Sequence, residues 1–311
     1  MKVVHQLENY FSERKTVFTV GTYDGLHIGH QKILKKLVAT AREKNLETVV
    51  LTFFPHPRQI LQKDVDLKLI DTIDEKIDAL AAIGIDTLII HPFSVAFSRL
   101  SALEFTRNIL VEQLNVAEIF MGYDHRFGRN RESNIDDLKA LGETYRFRVH
   151  EIPAQDIQQI AVSSTKIRKA VSVGNWERVE QFLGRPFQLK GMVVKGQQLG
   201  RQLNFPTANL HIPETYKMIP PRGVYWVRTT WDQESCYGMM NIGTRPTLKS
   251  NQQTIEIHLF DFDGNLYGKK LRVEILRNIR EEKAFASLEA LQEQLEKDAS
   301  SCRKWMKQTH S

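Results

Sequence analysis

The feature that most constrains the fold is an alternation of strand and helix patterns between residues 17 and 152. Short apolar segments with strand character are separated by longer segments whose apolar residues recur at helical spacing. The predicted strands are 17–20, 48–52, 87–90, 118–121 and 148–152, and the predicted helices are 31–43, 74–83, 102–114 and 134–145. Repeated β-α order predicts an α/β fold with a doubly wound parallel sheet, in which ligands bind at the carboxyl ends of the strands.

The pattern changes after Gly184, where short β-rich segments separated by glycine and proline turns replace the helices. Strands are predicted over 191–195, 223–230, 236–242, 254–260 and 271–276, and a helix over 287–304. Their spacing favours a small antiparallel β-barrel with the C-terminal helix packed across it. Because 311 residues exceed what one hydrophobic core usually serves, we predict two domains, 1–184 and 185–311.

Composition is that of a soluble globular protein, with 41% hydrophobic and 26% charged residues. No segment has the length and hydrophobicity of a membrane span, and the N-terminus lacks the apolar core of a signal peptide, so we expect a cytoplasmic protein. Cys236 and Cys302 are far apart, which argues against a thiolate zinc site. The net charge of +6 suits nucleotides and nucleic acids alike, and the basic residues form no tail.

The most informative motif is Gly-Thr-Tyr-Asp-Gly-Leu-His-Ile-Gly-His, which occupies residues 21–30 between the first predicted strand and helix. Such a turn lies at a helix N-terminus, where N–H groups and the helix dipole favour anions. His27 and His30 are three residues apart, so both imidazoles can face one point and donate hydrogen bonds to phosphate oxygens. We therefore expect a nucleotide-phosphate site. The alternative is a glycine turn with two surface histidines or metal ligands.

Three further loops are expected to reach the same edge of the sheet. Residues 52–57 carry an aromatic pair on which a planar ring could stack, and residues 122–128 place an acid, a cation and two aromatic residues between glycines. Taken alone, residues 52–57 are a weak signal, and for residues 122–128 the alternative is an ordinary surface loop. Residues 163–168 begin a short helix with hydroxyls suited to capping and with Lys166 and Arg168, two cations suited to phosphate.

In the second predicted domain, residues 195–210 combine glycines with a Pro-Thr-Ala-Asn sequence. Thr207 and Asn209 can point the same way in an extended segment, and their oxygens suit Mg²⁺ bound jointly with nucleotide phosphates. A polar β-turn is the alternative. Alternation in 254–260 places Glu256 and His258 on one face. That face turns either to solvent or to the Thr207 loop, and in the second case Glu256 is a suitable general base.

Taken in order, these motifs resemble the bacterial bifunctional riboflavin kinase/FMN adenylyltransferase family, or FAD synthetases, over nearly the whole chain. The matching segments are 21–30, 52–57, 122–128, 163–168, 200–210, 222–225, 241–247 and 256–268. The first and fourth are loosely shared with other nucleotidyltransferases and class I aminoacyl-tRNA synthetases, whereas the Pro-Thr-Ala-Asn motif is specific. The resemblance implies an N-terminal Rossmann-like nucleotidyltransferase domain and a C-terminal riboflavin kinase barrel.

The resemblance also implies two reactions, phosphorylation of riboflavin by ATP to FMN and adenylylation of FMN by ATP to FAD and pyrophosphate. Mg²⁺ with ATP is the implied cofactor, riboflavin, FMN and FAD are substrates or products, and no nucleic acid, membrane or obligate protein partner is implied. The implied site residues are Glu256, His27 and His30 for catalysis; Gly21, Asp24, Gly25, Gly29, Ser164, Thr165, Lys166, Arg168, Lys195, Gly200 and Arg201 for nucleotide; Phe54, Asp124 and Arg126 for flavin; and Thr207 and Asn209 for the metal.

Three positions depart from the pattern of the family, in which Phe is frequent at position 23, Gly at 204 and Phe at 125. This chain has Tyr23, Asn204 and His125 there. Asn tolerates a left-handed backbone, so we expect the loop at 204 to keep its shape. The alternatives are a nucleotidyltransferase for another acceptor, which leaves Thr207, Asn209 and Glu256 unexplained, and an RNA-binding protein, for which no basic strip with exposed aromatics is evident.

Overall fold

A computed structural model describes residues 1–62, 66–122, 127–129, 132–152, 162–196, 200, 203–247 and 250–309. Two compact units are present, Met1–Ser164 and Thr165–Ser311. This division falls before the boundary expected at 184/185. The helix Trp176–Leu183 contacts strands of the second unit, because the Trp176 ring packs 6.0 Å from Phe187 and 5.6 Å from Tyr225. The exact domain boundary stays a prediction.

A parallel sheet forms the centre of the first unit, as the β-α alternation predicts, but it has six strands, because Lys2–His5 adds an edge strand that the sequence analysis missed. Its strands are β1 (Lys2–His5), β2 (Thr16–Val20), β3 (Glu47–Phe53), β4 (Thr87–His91), β5 (Val116–Gly122) and β6 (Arg148–Ile152), in the order β1-β4-β3-β2-β5-β6. From β2 the chain adds β3 and β4 on one side and then crosses to β5 on the other. The topological switch point therefore lies between β2 and β5, and sheets of this kind bind ligands at the carboxyl ends of the strands there.

Helices cover both faces of this sheet. They are α1 (Ile28–Glu43), α2 (Pro57–Leu61), α3 (Ile73–Ile83), α4 (Ala102–Glu104), which continues as a π-helix over Phe105–Gln113, and α5 (Ile135–Tyr145). Alternate strand residues enter opposite cores: Val17 and Val50 pack with α1 and α3, whereas Phe18 and Val49 pack with the π-helix and α5. Burial on both faces explains why the strands read as continuous apolar runs.

The second unit is a closed antiparallel barrel, also as predicted, but with six strands instead of five. They are β7 (Phe187–Val194), β8 (Ala208–His211), β9 (Gly223–Trp231), β10 (Glu234–Thr247), β11 (Ser250–Leu259) and β12 (Lys270–Glu281), in the order β10-β11-β8-β7-β12-β9. Tyr225, Val227 and Val273 are fully buried. The additional strand, β8, is the short one that carries Asn209.

Among the described residues of the second unit, the helices are α6 (Ser164–Ser172), whose first residue closes the first unit, α7 (Trp176–Leu183) and α8 (Leu288–Thr309). The C-terminal helix α8 packs across the barrel as expected. Cys302 on α8 is buried in one apolar cluster with Val224, Trp226 and Met239, which lie on β9 and β10. This packing fixes α8 beside the outer barrel surface that carries Glu256.

Candidate functional sites

The glycine-histidine turn follows β2 at the switch point of the sheet. Helix α1 begins at Ile28, three positions before the predicted start at Gln31, because His27 caps it. The His27 Nδ1 accepts a hydrogen bond from the His30 N–H at 3.2 Å. The first turn of a helix carries N–H groups without intrahelical partners. This site therefore combines helix N–H donors and two imidazoles, as an anion site requires.

Unusual backbone angles shape the turn. Tyr23, Gly25 and Leu26 have φ values of 46°, 83° and 39°. A Cβ on Gly25 would lie 2.9 Å from the Ile70 Cδ1, so both the positive φ and the close contact require glycine. Strain in Tyr23 is offset by burial and by a 2.8 Å hydrogen bond between its hydroxyl and the Thr19 Oγ1. The turn is thus held in one conformation by its surroundings.

Asp24 is buried and supports the turn from within. Its Oδ1 accepts hydrogen bonds from the backbone N–H groups of Ile70 at 2.9 Å and Asp71 at 3.4 Å. The Asp24 carbonyl accepts a 2.9 Å hydrogen bond from the Ser164 hydroxyl. The structure thereby brings Ser164, the second residue of the predicted 163–168 phosphate motif, to the glycine-histidine turn. The carboxylate itself is occupied by the loop before α3, and direct nucleotide contact by Asp24 stays a prediction.

His27 and His30 lie together, as their spacing predicts. Their rings stack with centroids 3.6 Å apart and an interplanar angle of 15°, and the Tyr23 ring meets His30 edge-on at 5.2 Å. Burial lowers the pKa of His27 to about 4. Burial, followed by the positive charges of His27 and Lys76, places the pKa of His30 well below its usual value. Both imidazoles are therefore neutral near pH 7 and act as hydrogen-bond donors, not as cations.

The tautomer of His27 follows from its cap. Because Nδ1 accepts the His30 N–H, the proton of neutral His27 lies on Nε2, which is then the donor. His30 Nδ1 is buried and has no hydrogen-bond partner among the described residues. Buried polar atoms in proteins are nearly always hydrogen-bonded, so this exception marks a ring nitrogen that a bound ligand or water can complete.

The aromatic pair at the end of β3 divides between the two faces of the sheet. Phe54, the predicted flavin contact, packs into the core shared with α1 and α3. Phe53 instead joins a cluster with Phe93 and Phe97, with centroids 5.3 Å from each, and the His91 ring lies 6.5 Å away. This second set of planar surfaces lies where β3 and β4 end. Sequence analysis overlooked Phe93 and Phe97, because single aromatic residues in a polar loop carry no periodic signal.

For several predicted site residues, the structure gives either no position or only the degree of exposure. Asp124 and Arg126 lie outside the described residues, as does Arg201 of the second site. Thr165, Lys166 and Arg168 follow Ser164 on α6, where Thr165 and Lys166 are exposed and Arg168 is half-buried. Their roles stay predictions.

On the barrel, the predicted residues converge on one outer surface. Glu256 pairs with Asn209 of β8 on one side and with Asn241 of β10 on the other, and cross-strand partners project to the same face. The Thr207 hydroxyl donates to the Glu256 Oε2 at 3.3 Å. Of the two orientations that the sequence permits, the structure therefore has Glu256 facing the Thr207 segment. Ile257, its neighbour, is buried in the barrel.

Close backbone contacts explain the glycines of the loop before β8. A Cβ on Gly196 would collide with the Asn209 amide, and a Cβ on Gly200 would collide with the Phe205 carbonyl oxygen. Asn204 has the left-handed φ of 60° that its substitution for glycine predicts. The ring of His258 donates from Nδ1 to the Pro206 carbonyl at 2.9 Å and ties the loop to β11. Lys195 is exposed beside this loop.

A cavity of about 660 Å³ opens next to Thr207. Apolar side chains of Val193, Ile257 and Leu259 form part of its wall, and residues 262–267 form another part. Its size and mixed lining suit a nucleotide or another small molecule. Thr207 lines this cavity and also contacts Glu256, so this one side chain links the cavity to the carboxylate.

The donor set fits a metal ion that is shared with phosphates. Among the described residues, no group of three or more His, Cys, Asp or Glu side chains could hold a metal ion alone. The Thr207 hydroxyl and the Asn209 amide offer hard, uncharged oxygens beside the Glu256 carboxylate. Mg²⁺ prefers such ligands and keeps positions for substrate phosphates. The residues therefore fit Mg²⁺ bound together with a nucleotide.

Comparisons with known proteins match both units. Residues 11–166 match the family model described as FAD synthetase, and residues 183–306 match that of riboflavin kinase. Bifunctional riboflavin kinase/FMN adenylyltransferases of several bacteria align over nearly the full length. Identity is 36% with that of Buchnera aphidicola subsp. Schizaphis graminum (97% of each chain), 36% with Listeria monocytogenes (92% of this chain, 91% of the relative) and 34% with Escherichia coli K12 (98% of each).

A solved structure has the same architecture. It is described as a macrolide-efflux protein from Streptococcus pneumoniae, is 29% identical, covers 98% of this chain and 100% of its own, and has a TM-score of 0.87. Among the described residues of the present chain, none of the helices has the length and apolar character needed to span a bilayer. The shared feature is thus the pair of folded units.

Proposed function

Because the chain belongs to the family of bifunctional riboflavin kinases/FMN adenylyltransferases, we propose that it makes FMN and then FAD, each step consuming ATP. The enzyme phosphorylates riboflavin at the barrel and adenylylates FMN at the parallel sheet. The observation that carries this assignment is the juxtaposition of Thr207, Asn209 and Glu256 on one barrel surface. A nucleotidyltransferase for a different acceptor has no use for that arrangement.

At the barrel, ATP occupies the cavity beside Thr207, and the ribityl hydroxyl of riboflavin approaches Glu256. Thr207 and Asn209 would hold Mg²⁺, which would neutralise phosphate charge on ATP. Glu256 accepts the proton of the attacking hydroxyl as its oxygen bonds to the γ-phosphorus and the bond to the β–γ bridging oxygen breaks, so that FMN and ADP leave. The hydrogen bond from Thr207 orients the Glu256 carboxylate for this task.

At the sheet, the triphosphate of a second ATP lies on the glycine-histidine turn. A phosphate oxygen of FMN bonds to the α-phosphorus, the bond to the α–β bridging oxygen breaks, and pyrophosphate leaves. His27 and His30 donate hydrogen bonds to the charged oxygens, and Ser164, Thr165, Lys166 and Arg168 hold the leaving pyrophosphate. Positioning and electrostatic stabilisation suffice, and no covalent enzyme intermediate is required. We assign the flavin ring to the aromatic residues where β3 ends. Phe54 is the predicted contact, and the rings of Phe53 and Phe97, which pack against each other, offer a second planar surface there.

Three glycines of the turn complete the nucleotide site in this proposal. Gly21, Gly25 and Gly29 have no side chains, so the nucleotide can approach the backbone closely there. A Cβ on Gly29 would come within 3.2 Å of the His27 Nδ1, so a side chain at 29 would displace the imidazole. At the barrel, Gly200 lets the backbone approach the nucleotide closely, and Lys195 supplies a positive charge to its phosphates. We expect the protein to be a cytoplasmic enzyme without nucleic-acid or membrane partners.

A time course that resolves FMN from FAD tests both halves of the assignment. Purified protein with riboflavin, ATP and Mg²⁺ should accumulate FMN first and FAD later, and protein given FMN and ATP should form FAD and pyrophosphate. Omission of ATP should stop both reactions. Formation of neither product by folded protein would overturn the assignment, and formation of FMN alone would overturn its N-terminal half.

A further inference from the structure

Lys76 is a buried lysine directly behind the glycine-histidine turn. It lies on the first turns of α3 and is only 3% exposed. Its ammonium donates a 2.7 Å hydrogen bond to the Thr22 carbonyl and lies 3.5 Å from the Thr52 hydroxyl. Lysine is almost never fully buried without a specific partner, because its charge is costly to remove from water. A solvated role for this side chain is therefore excluded.

The contact is one half of a reciprocal clamp between the turn and α3. The turn sends the Asp24 carboxylate to the N–H groups of Ile70 and Asp71, just before α3. Helix α3 sends Lys76 back to the carbonyl of Thr22, two residues before Asp24. Ile70 also packs against Gly25. The start of the turn, Thr22–Gly25, is thus held by Lys76 of α3 and by the residues just before that helix, and His27 and His30 follow directly on this segment.

A single carbonyl needs one donor, which a neutral side chain could supply, so the charge of Lys76 calls for its own explanation. Asp24 and Asp71 favour the charged amine, although burial lowers the pKa of Lys76. The same positive charge acts on His30, whose pKa it helps to lower. Groups facing His30 are Tyr23, His27 and Lys76, with Asp24 and Asp71 behind the lysine.

We propose that Lys76 is a positioning residue of the adenylyl-transfer site, whose ammonium anchors the Thr22 carbonyl and so holds His27 and His30 where phosphate binds. It acts through the turn and does not touch substrate. Its charge has a second consequence, which is to favour the uncharged, hydrogen-bond-donating form of His30. This inference rests on the proposed function of the N-terminal unit.

The test compares Lys76→Met, which keeps the length of the side chain and removes donor and charge, with Lys35→Met, an exposed position of α1. Displacement of a catalytic group by about 1 Å costs roughly a hundredfold in rate, so Lys76→Met should lower kcat for FMN adenylylation by about tenfold to a hundredfold. Riboflavin phosphorylation by the same preparation should stay within about twofold, because it is carried out by the barrel. Lys35→Met should match the wild type in both reactions.

A second readout separates positioning from mere folding. The imidazole resonance of His30, assigned in ¹H NMR spectra by its loss in His30→Ala, should titrate at higher pH in Lys76→Met than in the wild type, because a positive charge beside it is gone. Any of three results would overturn the proposal: a wild-type kcat, an unshifted His30 titration, or loss of the N-terminal unfolding transition. Failure of wild-type protein to adenylylate FMN is a separate result and would overturn the proposed function itself.

Discussion

The two units build phosphate chemistry from opposite materials. In the parallel sheet, the candidate groups are the uncharged imidazoles of buried His27 and half-buried His30 at the start of a helix, supported by a backbone with three positive φ values. In the barrel, they are half-exposed oxygen donors on the outer face of regular strands. The first site depends on an enforced conformation, and the second depends on strand register.

This difference predicts different sensitivities. A turn held by buried contacts should fail when a supporting residue is removed, even one remote from substrate. A row of cross-strand partners such as Asn209, Glu256 and Asn241 is set by the ladder itself, so single side chains there should affect chemistry with little effect on folding. Substitutions in each unit can therefore break or sharpen the comparison.

The largest effect is expected for Glu256→Gln, which removes the proton acceptor and keeps the shape of the side chain. General bases contribute about 10²- to 10⁴-fold, so FMN formation should fall by at least about a hundredfold. Conversion of supplied FMN to FAD should remain within about twofold. Liquid chromatography of both flavins over time measures the two rates in one experiment.

Glu234→Gln is the matched control. Glu234 is exposed on β10, seven positions from the Asn241 that pairs with Glu256, and the variant should keep both activities. Equal loss of both activities in Glu256→Gln would contradict the division of labour between the units. Retention of FMN formation would remove Glu256 from the mechanism.

His30→Ala should produce the reverse pattern with a somewhat smaller loss. Removal of one preorganised donor to a developing negative charge typically costs about 10²- to 10³-fold in kcat. FMN-to-FAD conversion should fall by about that factor, while riboflavin phosphorylation is preserved. His5→Ala, which changes an exposed histidine of the same unit, should leave both rates unchanged.

Pyrophosphate release measures the His30→Ala reaction independently of the flavins. If FAD formation by the variant equals that of the wild type, the stacked histidine pair is structural and the phosphate site lies elsewhere. If riboflavin phosphorylation falls in parallel, the two units do not carry out the two reactions independently.

Sequence analysis predicted the regular parts of both units because their periodicity is strong. It missed β8, which is four residues long and follows Pro206. It also began α1 at Gln31, whereas the helix starts at Ile28, because histidine is an uncommon cap and its role is visible only from the Nδ1 contact. It also missed β1, a four-residue edge strand. The errors at β8 and at the start of α1 fall at candidate sites, where local rules yield to tertiary contacts.

Side-chain environment was harder to predict than position. Glu256 was correctly placed on the polar face of its strand, but only the register with Asn209 reveals what that face meets. Lys76 lies in an amphipathic helix beside other charged residues, so its sequence context is typical of a solvated side chain. The partner of its buried ammonium is the Thr22 carbonyl, 54 positions earlier, and no local sequence pattern encodes that contact.

Thr207→Val tests whether the barrel site uses side-chain oxygens for the metal. The substitution keeps the volume and removes the hydroxyl that lines the cavity and meets Glu256. The Mg²⁺ concentration for half-maximal FMN formation should rise about tenfold, since loss of groups around a metal typically costs 10- to 100-fold in affinity. Titration of FMN formation with Mg²⁺ at fixed ATP measures this effect.

Thr254→Val provides the control, because Thr254 lies two residues before Glu256 on the same face of β11. It should leave the Mg²⁺ dependence unchanged. An unchanged dependence in Thr207→Val would assign the metal entirely to the nucleotide phosphates and would leave Thr207 with the orientation of Glu256 as its only task.

The smallest effect concerns acid stability of the N-terminal unit. Burial lowers the pKa of His27 from 6.5 to about 4, so the unfolded chain binds a proton at a higher pH than the folded one. The stability that this group contributes is complete above about pH 6.5 and is lost as the pH falls towards 4. The loss reaches about 2 kcal/mol at pH 5. His27→Asn keeps a capping side chain and removes the titration.

Urea unfolding of the full chain at pH 7 and pH 5 measures this contribution. Between these pH values, the N-terminal transition of His27→Asn should lose about 2 kcal/mol less unfolding free energy than that of the wild type, and His5→Asn should behave as the wild type. Equal losses in His27→Asn and the wild type would mean that the His27 imidazole titrates as freely as a surface histidine. The contrast would then rest on the turn alone, because burial would no longer distinguish the groups of the sheet site from the half-exposed donors of the barrel.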